Sequence, residues 1–164
     1  MTKLIILRGN SGSGKSSVAH ELRMRMGYGT AVVEQDYIRR ELLREQDKPG
    51  QPNIELIRLN AQFALGNKYD VIIEGILPEV NYGSMLRNLI SVHEGDSYVY
   101  YFDIPFEETV RRHATRDKSK EFNEAFMREL YLPQDFLGTK NEQVIAEDSA
   151  FEATVERILR DISS

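Results

Sequence analysis

Residues Arg8 to Ser17 read RGNSGSGKSS, and inside them Gly9-x-x-x-x-Gly14-Lys15-Ser16 follows the phosphate-loop pattern G-x-x-x-x-G-K-[ST]. Each residue type answers a need of a bound phosphate. The glycines at 9, 12 and 14 let the backbone bend until several N–H groups converge on one anion. Lys15 brings a full positive charge near terminal phosphates, and the Ser16 hydroxyl is an oxygen donor for Mg²⁺. A helix starting at Lys15 points the positive end of its dipole at the same anion. Asn10, Ser11, Ser13 and Ser17 complete the loop. The nearby Gly12-x-Gly14-x-x-Ser17 lacks the third glycine or alanine of a dinucleotide fingerprint, and Lys15-Ser16 favours the phosphate loop. The motif holds phosphate without saying whether it is hydrolysed, sensed or moved.

Three further sets bear on that choice. Asp36 follows a short apolar run, where a carboxylate can take the proton of an attacking hydroxyl; it can also cap the helix that follows. Arg39, three residues on, shares a helical face with Asp36 and is placed either to bind an acceptor phosphate or to steady the carboxylate. Glu74 closes another apolar run (DVIIEG), where it either orients Mg²⁺-bound water, contacts an acceptor, or is only a strand-end polar residue. Arg112 and Arg116 are four apart, on one helix face, and suit a clamp on transferring phosphoryl oxygens; pairing with Glu107 and Glu108 on a solvated face is the plainer alternative. The strings DFLG (135–138) and NKYD (67–70) match GTPase motifs only in reversed order, and Gly66-Asn67 reads as an ordinary helix stop.

Strands and helices alternate around these residues. Leu4 to Leu7 is apolar throughout and reads as a strand buried on both faces. A helix follows from Lys15 to Met26, closed by Gly27 and Gly29. Thr30 to Val33 is a second strand, Tyr37 to Glu45 a helix, and PGQP (49–52) a break. Asn53 is placed to cap a helix carrying Ile54, Ile57, Ala61 and Leu65. Asp70 to Gly75 is a third strand and Tyr82 to Val92 a helix. Ser97 to Ile104 is a fourth strand, and Pro105 starts the helix FEETVRRHATR. Glu142 to Ala146 is a fifth strand and Phe151 to Ile162 a closing helix. This alternation predicts an α/β domain with a parallel sheet covered on both faces. The charged stretch Asp117 to Phe122 is the piece expected to move.

The chain has 164 residues, 41% hydrophobic and 29% charged, which suits one domain over 1–164. It has no cysteine, so disulfides, thiolate zinc sites and a cysteine nucleophile are excluded. A net charge of −5 leaves no broad basic surface for nucleic acid, so any polyanion must meet a local basic cleft. The run of four apolar residues before Arg8 is too short for a signal-peptide core, and no run approaches a membrane span. A cytoplasmic protein with no membrane partner is expected.

The chain resembles the small P-loop kinases with a nucleoside-monophosphate-kinase-like fold. Within them it is similar to the group of polynucleotide 5′-kinases, zeta toxins and chloramphenicol phosphotransferase. The resemblance runs from Leu4 to about Phe126 and rests on Gly9 to Ser16, Asp36-x-x-Arg39, FDIPFEETV and Arg112-x-x-x-Arg116. It implies a five-stranded three-layer α/β/α sheet in the order 2-3-1-4-5, ATP and Mg²⁺ as cofactors, and an arginine-bearing lid over about 111–131. It also implies Asp36 as general base, Arg39 at the acceptor, and Arg112 and Arg116 at the phosphates. The expected activity is transfer of the γ-phosphoryl group to a hydroxyl of a small-molecule acceptor. A polynucleotide 5′-hydroxyl is the alternative, motivated by Arg39, Lys118 and Lys120. A non-enzymatic, nucleotide-dependent regulator is the third reading. The acidic balance and the lack of a partner phosphatase or ligase domain favour the small molecule.

Overall fold

Successive side chains of a strand point to opposite faces, so an unbroken apolar run needs cover on both. β1 (Lys3–Gly9) meets that demand: Leu4 and Ile6 join one buried cluster and Ile5 and Leu7 the other. In the computed structural model, which describes residues 1–115 and 123–164, β1 is the middle strand of a five-stranded parallel sheet. Its partners are β2 (Thr30–Glu34), β3 (Asp70–Gly75), β4 (Asp96–Asp103) and β5 (Glu142–Ala146), in the order β2-β3-β1-β4-β5. That is the order the resemblance implies.

One face is covered by α2 (Pro52–Gly66) and α3 (Glu79–Val92), which bring Ile57, Ala61, Leu86 and Leu89 onto Leu4, Ile6, Val71 and Ile73. The other is covered by α1 (Lys15–Met26) and α6 (Phe151–Ser163), through Val18, Leu22, Val155 and Ile158 on Ile5, Leu7 and Ile72. Each such side chain, taken from water, stabilises the fold by about 1.5–3 kcal/mol. α4 (Phe106–Ala114) and α5 (Glu124–Leu130) lie between β4 and β5 in the chain.

Several elements differ from the sequence reading. The helix expected over Tyr37 to Glu45 is a π-helical turn, Tyr37–Leu42, with Leu43 N–H donating five residues back to Ile38 O at 3.1 Å. α2 starts at Pro52, and Asn53 does not cap it; Glu45 Oε2 accepts the Asn53 N–H at 2.9 Å from outside the helix. α3 starts at Glu79 rather than Tyr82 because Asp135 Oδ2, 56 residues on, accepts the Glu79 N–H at 2.8 Å. α5 was not expected. Asn123 caps it by accepting from Phe126 N–H, and Arg128 lies 4.1 Å over the Phe106 ring of α4.

Candidate active site

All five parallel strands end on one edge of the sheet, where crossovers leave a crevice for ligands. β1 delivers the phosphate loop there, β2 delivers Glu34 and then Gln35 and Asp36, and β3 delivers Glu74. The register pairs Glu74 with both Leu7 of β1 and Glu34 of β2.

The loop fits its path only with glycine at 9, 12 and 14, all at positive φ. Gly12 has φ +78°, and a Cβ there would stand 2.5 Å from the Thr109 carbonyl oxygen of α4. Gly14, at φ +95°, turns the chain into α1. Lys15 is 6% exposed and its Nζ donates to Asn10 O at 3.1 Å. The Asn10 side chain faces away from that lysine and clasps a distant backbone. Its Nδ2 donates to Leu132 O at 2.7 Å and its Oδ1 accepts from Leu132 N–H at 2.8 Å.

Ser16 Oγ donates to Glu74 Oε1 at 3.1 Å and Oε2 at 3.2 Å. Two hard oxygen donors beside a phosphate loop suit Mg²⁺, which is commonly held by one or two carboxylates together with substrate phosphates. Among the described residues no cluster of three or more acidic or histidine side chains forms a cage of its own. Glu74 is nearly buried, and burial holds its carboxyl above the usual carboxylate range. The charge of Lys15 and the Ser16 bond work against that shift, while Glu34 and Asp36 add to it.

A raised carboxyl pKa means the folded chain binds that proton more tightly than the unfolded chain. The stability it contributes is present below the unfolded pKa and is lost as pH rises through the folded value. Glu74→Gln, which imitates the protonated form, is therefore expected to raise the Tm of the nucleotide-free protein at about pH 8, with the gain vanishing by about pH 4. Thermal unfolding across that range checks it. A variant no more stable than the parent at the upper pH would mean Lys15 and Ser16 outweigh burial.

Asp36 and Arg39 come together as an ion pair, Arg39 Nη2 to Asp36 Oδ1 at 3.7 Å. Asp36 keeps 46% of its side chain exposed, enough for a substrate to reach it. Arg112 reaches the loop: its Nη1 donates to Ser13 O at 3.0 Å and its Nη2 to Glu147 O at 3.2 Å. It also pairs with Glu108 at 2.7 Å, one of the contacts the solvated-face alternative expects. Arg111 and Arg112 together hold the Glu108 carboxyl down at about 2. Arg116, with Lys118 and Lys120, lies outside the described residues. Beside Arg112 a cleft of about 360 Å³ opens between α4 and the turn from β5 to α6, lined in part by Ser17, Ile145, Glu147 and Asp148.

One central residue escaped the sequence reading. Arg8 is fully buried, with bonds to Leu77 O at 2.9 Å, Asp135 Oδ2 at 3.0 Å and Glu142 Oε1 at 3.4 Å. Desolvation lowers its pKa, and the Asp135 and Glu142 carboxylates oppose the shift. Arg8 ties the phosphate loop to the end of β3 and to the segment before β5. A charged residue closing an apolar strand run was the available signal. Asp135, part of the GTPase-like string, serves this pair.

Residues 4–130 match the AAA_33 family, described as an AAA domain. The chain belongs to that family. No curated protein matches it in sequence. Among solved structures it is similar to an APS kinase, CysC of Mycobacterium tuberculosis, in complex with AMPPNP and APS. That match has 18% identity and TM-score 0.72 and covers 99% of this chain and 98% of the other. A gluconokinase from Sinorhizobium meliloti 1021 matches with 16% identity and TM-score 0.64, covering 98% and 95%. The Pnkp1/Rnl/Hen1 RNA repair complex matches with 22% identity and TM-score 0.59, covering 78% of this chain and 42% of that one. The fold is that of the small ATP-dependent P-loop kinases. Among the described residues no helix is long and apolar enough to cross a membrane.

Proposed function

We propose that the protein is an ATP- and Mg²⁺-dependent kinase that transfers the γ-phosphoryl group to a hydroxyl of a small-molecule acceptor. The observation that carries this reading is the exposed Asp36 carboxylate, paired with Arg39, on the same sheet edge as Lys15 and the Ser16–Glu74 pair. A hydrolase or switch positions a water rather than an acceptor hydroxyl. A strand-end carboxylate open to solvent beside a cation suits an acceptor.

In this mechanism the loop amides of Gly9 to Ser17 and Lys15 bind the β- and γ-phosphates. Ser16 and Glu74 would hold Mg²⁺, which when bound neutralises charge on the phosphate oxygens. Asp36 accepts the proton of the acceptor hydroxyl as that oxygen bonds to the γ-phosphorus and the bond to the β-bridging oxygen breaks, leaving ADP. Arg39 orients the acceptor or steadies Asp36. Arg112 stabilises negative charge on the transferring group, at one end of the lid proposed over about 111–131. The cleft beside Arg112 takes the nucleotide base.

The test is mass spectrometry of a metabolite extract incubated with ATP, Mg²⁺ and the protein. A new species heavier by one phosphoryl group is expected, and it should be missing with Asp36→Asn. APS, gluconate and a 5′-hydroxyl oligonucleotide serve as defined acceptors. Labelling of the oligonucleotide alone would favour the polynucleotide reading, to which the likeness to an RNA repair complex lends support. No product from any of them, with only slow ATP hydrolysis, would favour the regulator instead.

A further inference from the structure

Asp36 and Arg39 are gripped from behind by side chains outside the phosphate loop. Gln35, next to Asp36, is 1% exposed and fills the space a side chain on Gly75 would need. Its Oε1 accepts the Leu77 N–H at 2.9 Å, and its Nε2 lies 3.4 Å from Asp47 Oδ2. Leu77 sits at φ +46°, a left-handed conformation that costs a leucine energy and persists only where its surroundings enforce it. Gln35 holds its N–H and Arg8 its carbonyl.

From Asp47 the contacts run on through α3 and α2. Asn81 Nδ2 donates to Asp47 Oδ1 at 3.1 Å. The neighbouring Tyr82, fully buried, donates its hydroxyl to Asn53 Oδ1 at 2.7 Å. Asn53, also fully buried, donates both its backbone N–H and Nδ2 to Glu45 Oε2 at 2.9 Å. The Glu45 carbonyl accepts from Arg39 Nη1 at 3.0 Å, and Arg39 returns to Asp36. The path leaves the candidate base at Gln35 and comes back to it at Arg39.

Such a ring is sensitive to single deletions. Each buried polar group left unpaired costs about 1–3 kcal/mol, so the members hold one another to one geometry. Burial, reinforced by the Asp47 charge, raises the Tyr82 phenol above its usual range, so it stays a donor at working pH.

We infer that Gln35, Asn53 and Tyr82 are positioning residues for the acceptor half of the reaction, holding Asp36 and Arg39 at the sheet edge and leaving nucleotide binding to the loop. This rests on the reading of Asp36 as the base.

Tyr82→Phe removes one hydroxyl and keeps the ring packing. Mg-ATP affinity by calorimetry is expected to stay within about twofold. Phosphate release from ATP, with water as the acceptor, is expected to fall about 10-fold, inside the range that a misplacement of 1 Å can cost. The double variant Tyr82→Phe/Asp36→Asn should be no slower than Asp36→Asn alone, because a positioning residue acts through the base. Fully additive losses would overturn the inference.

Hydrogen exchange of the nucleotide-free full chain supplies an arm independent of the base. Amides of 37–45 should exchange faster in Tyr82→Phe while those of α1 do not change. Unchanged exchange at 37–45 would also overturn it. Glu45→Ala, at a half-buried position in an irregular segment, is expected to reproduce both results if Tyr82→Phe folds poorly. If Asp36→Asn hydrolyses ATP at the parent rate, the base assignment fails by itself, and the exchange arm alone decides the ring.

Discussion

Asp36→Asn is expected to slow phosphoryl transfer by at least about 10²-fold, the lower end of what a positioned general base contributes. The substitution keeps the shape of a side chain that makes no cap hydrogen bond to the π-helical turn, and removes only the charge and the ability to take a proton. The fold should tolerate it. The carboxylate is 46% exposed and its partner Arg39 is at 3.7 Å. Exposed pairs of that kind contribute about 0–1 kcal/mol. Lost rate with an unchanged Tm therefore reports chemistry. ATP affinity should also hold, because Lys15 and the loop amides, not the Asp36 carboxylate, are the groups proposed to bind the phosphates. A fall in kcat with KM for ATP unchanged is the expected pattern. Near-parental transfer would remove the base assignment, while leaving the nucleotide site intact.

Lys15→Ala attacks the other half of the reaction. Lys15 is 6% exposed, bonds to Asn10 O, and supplies the main favourable charge acting on Glu74. A hydrogen bond to a charged group contributes about 1.5–3 kcal/mol, so the affinity for a non-hydrolysable ATP analogue should weaken roughly 10- to 150-fold. Transfer should suffer more than binding, since charge spreads over the phosphoryl oxygens in the transition state. The loss also leaves the nearly buried Glu74 facing Glu34 and Asp36 without its counter-charge. Its proton is then held more tightly, so whatever Mg²⁺ dependence survives should move to higher pH. Titration calorimetry at two pH values separates these effects. Unchanged affinity would take the loop out of the phosphate site.

The two variants divide along a line that also separates local from distant information. The phosphate loop could be read from its string because its function lies in the backbone between two elements, and the residues that shape it are neighbours in the chain. The strand order followed from the resemblance, and the strands themselves from apolar runs that only a doubly covered sheet can bury. Asp36 and Arg39 were legible because three-residue spacing puts them on one helical face. The π-helical turn keeps them together at 3.7 Å although the regular helix expected there does not form.

What escaped were the partners supplied from far along the chain. Asn53 looked like a helix cap, a role its residue type favours locally, but Glu45 satisfies its N–H and Tyr82 takes its side chain. The start of α3 was misplaced by three residues because its cap, Asp135, comes from beyond the helix. The sequence left Glu74 open between metal, acceptor and a mere strand end; in the fold its carboxylate accepts from Ser16 Oγ, 58 positions away.

The sequence by itself determined that this protein carries a P-loop pattern on a parallel α/β sheet, and it named the carboxylate and cations proposed above for phosphoryl transfer. Local spacing and burial on two faces suffice for that. Only the tertiary structure decided that Asn10 serves Leu132, that Arg8 anchors the segment before β5, that Arg112 reaches Ser13, and that a buried polar ring stands behind Asp36. Those contacts join residues brought together by strand order and helix packing, and no local pattern in a chain encodes which distant group will satisfy a buried donor.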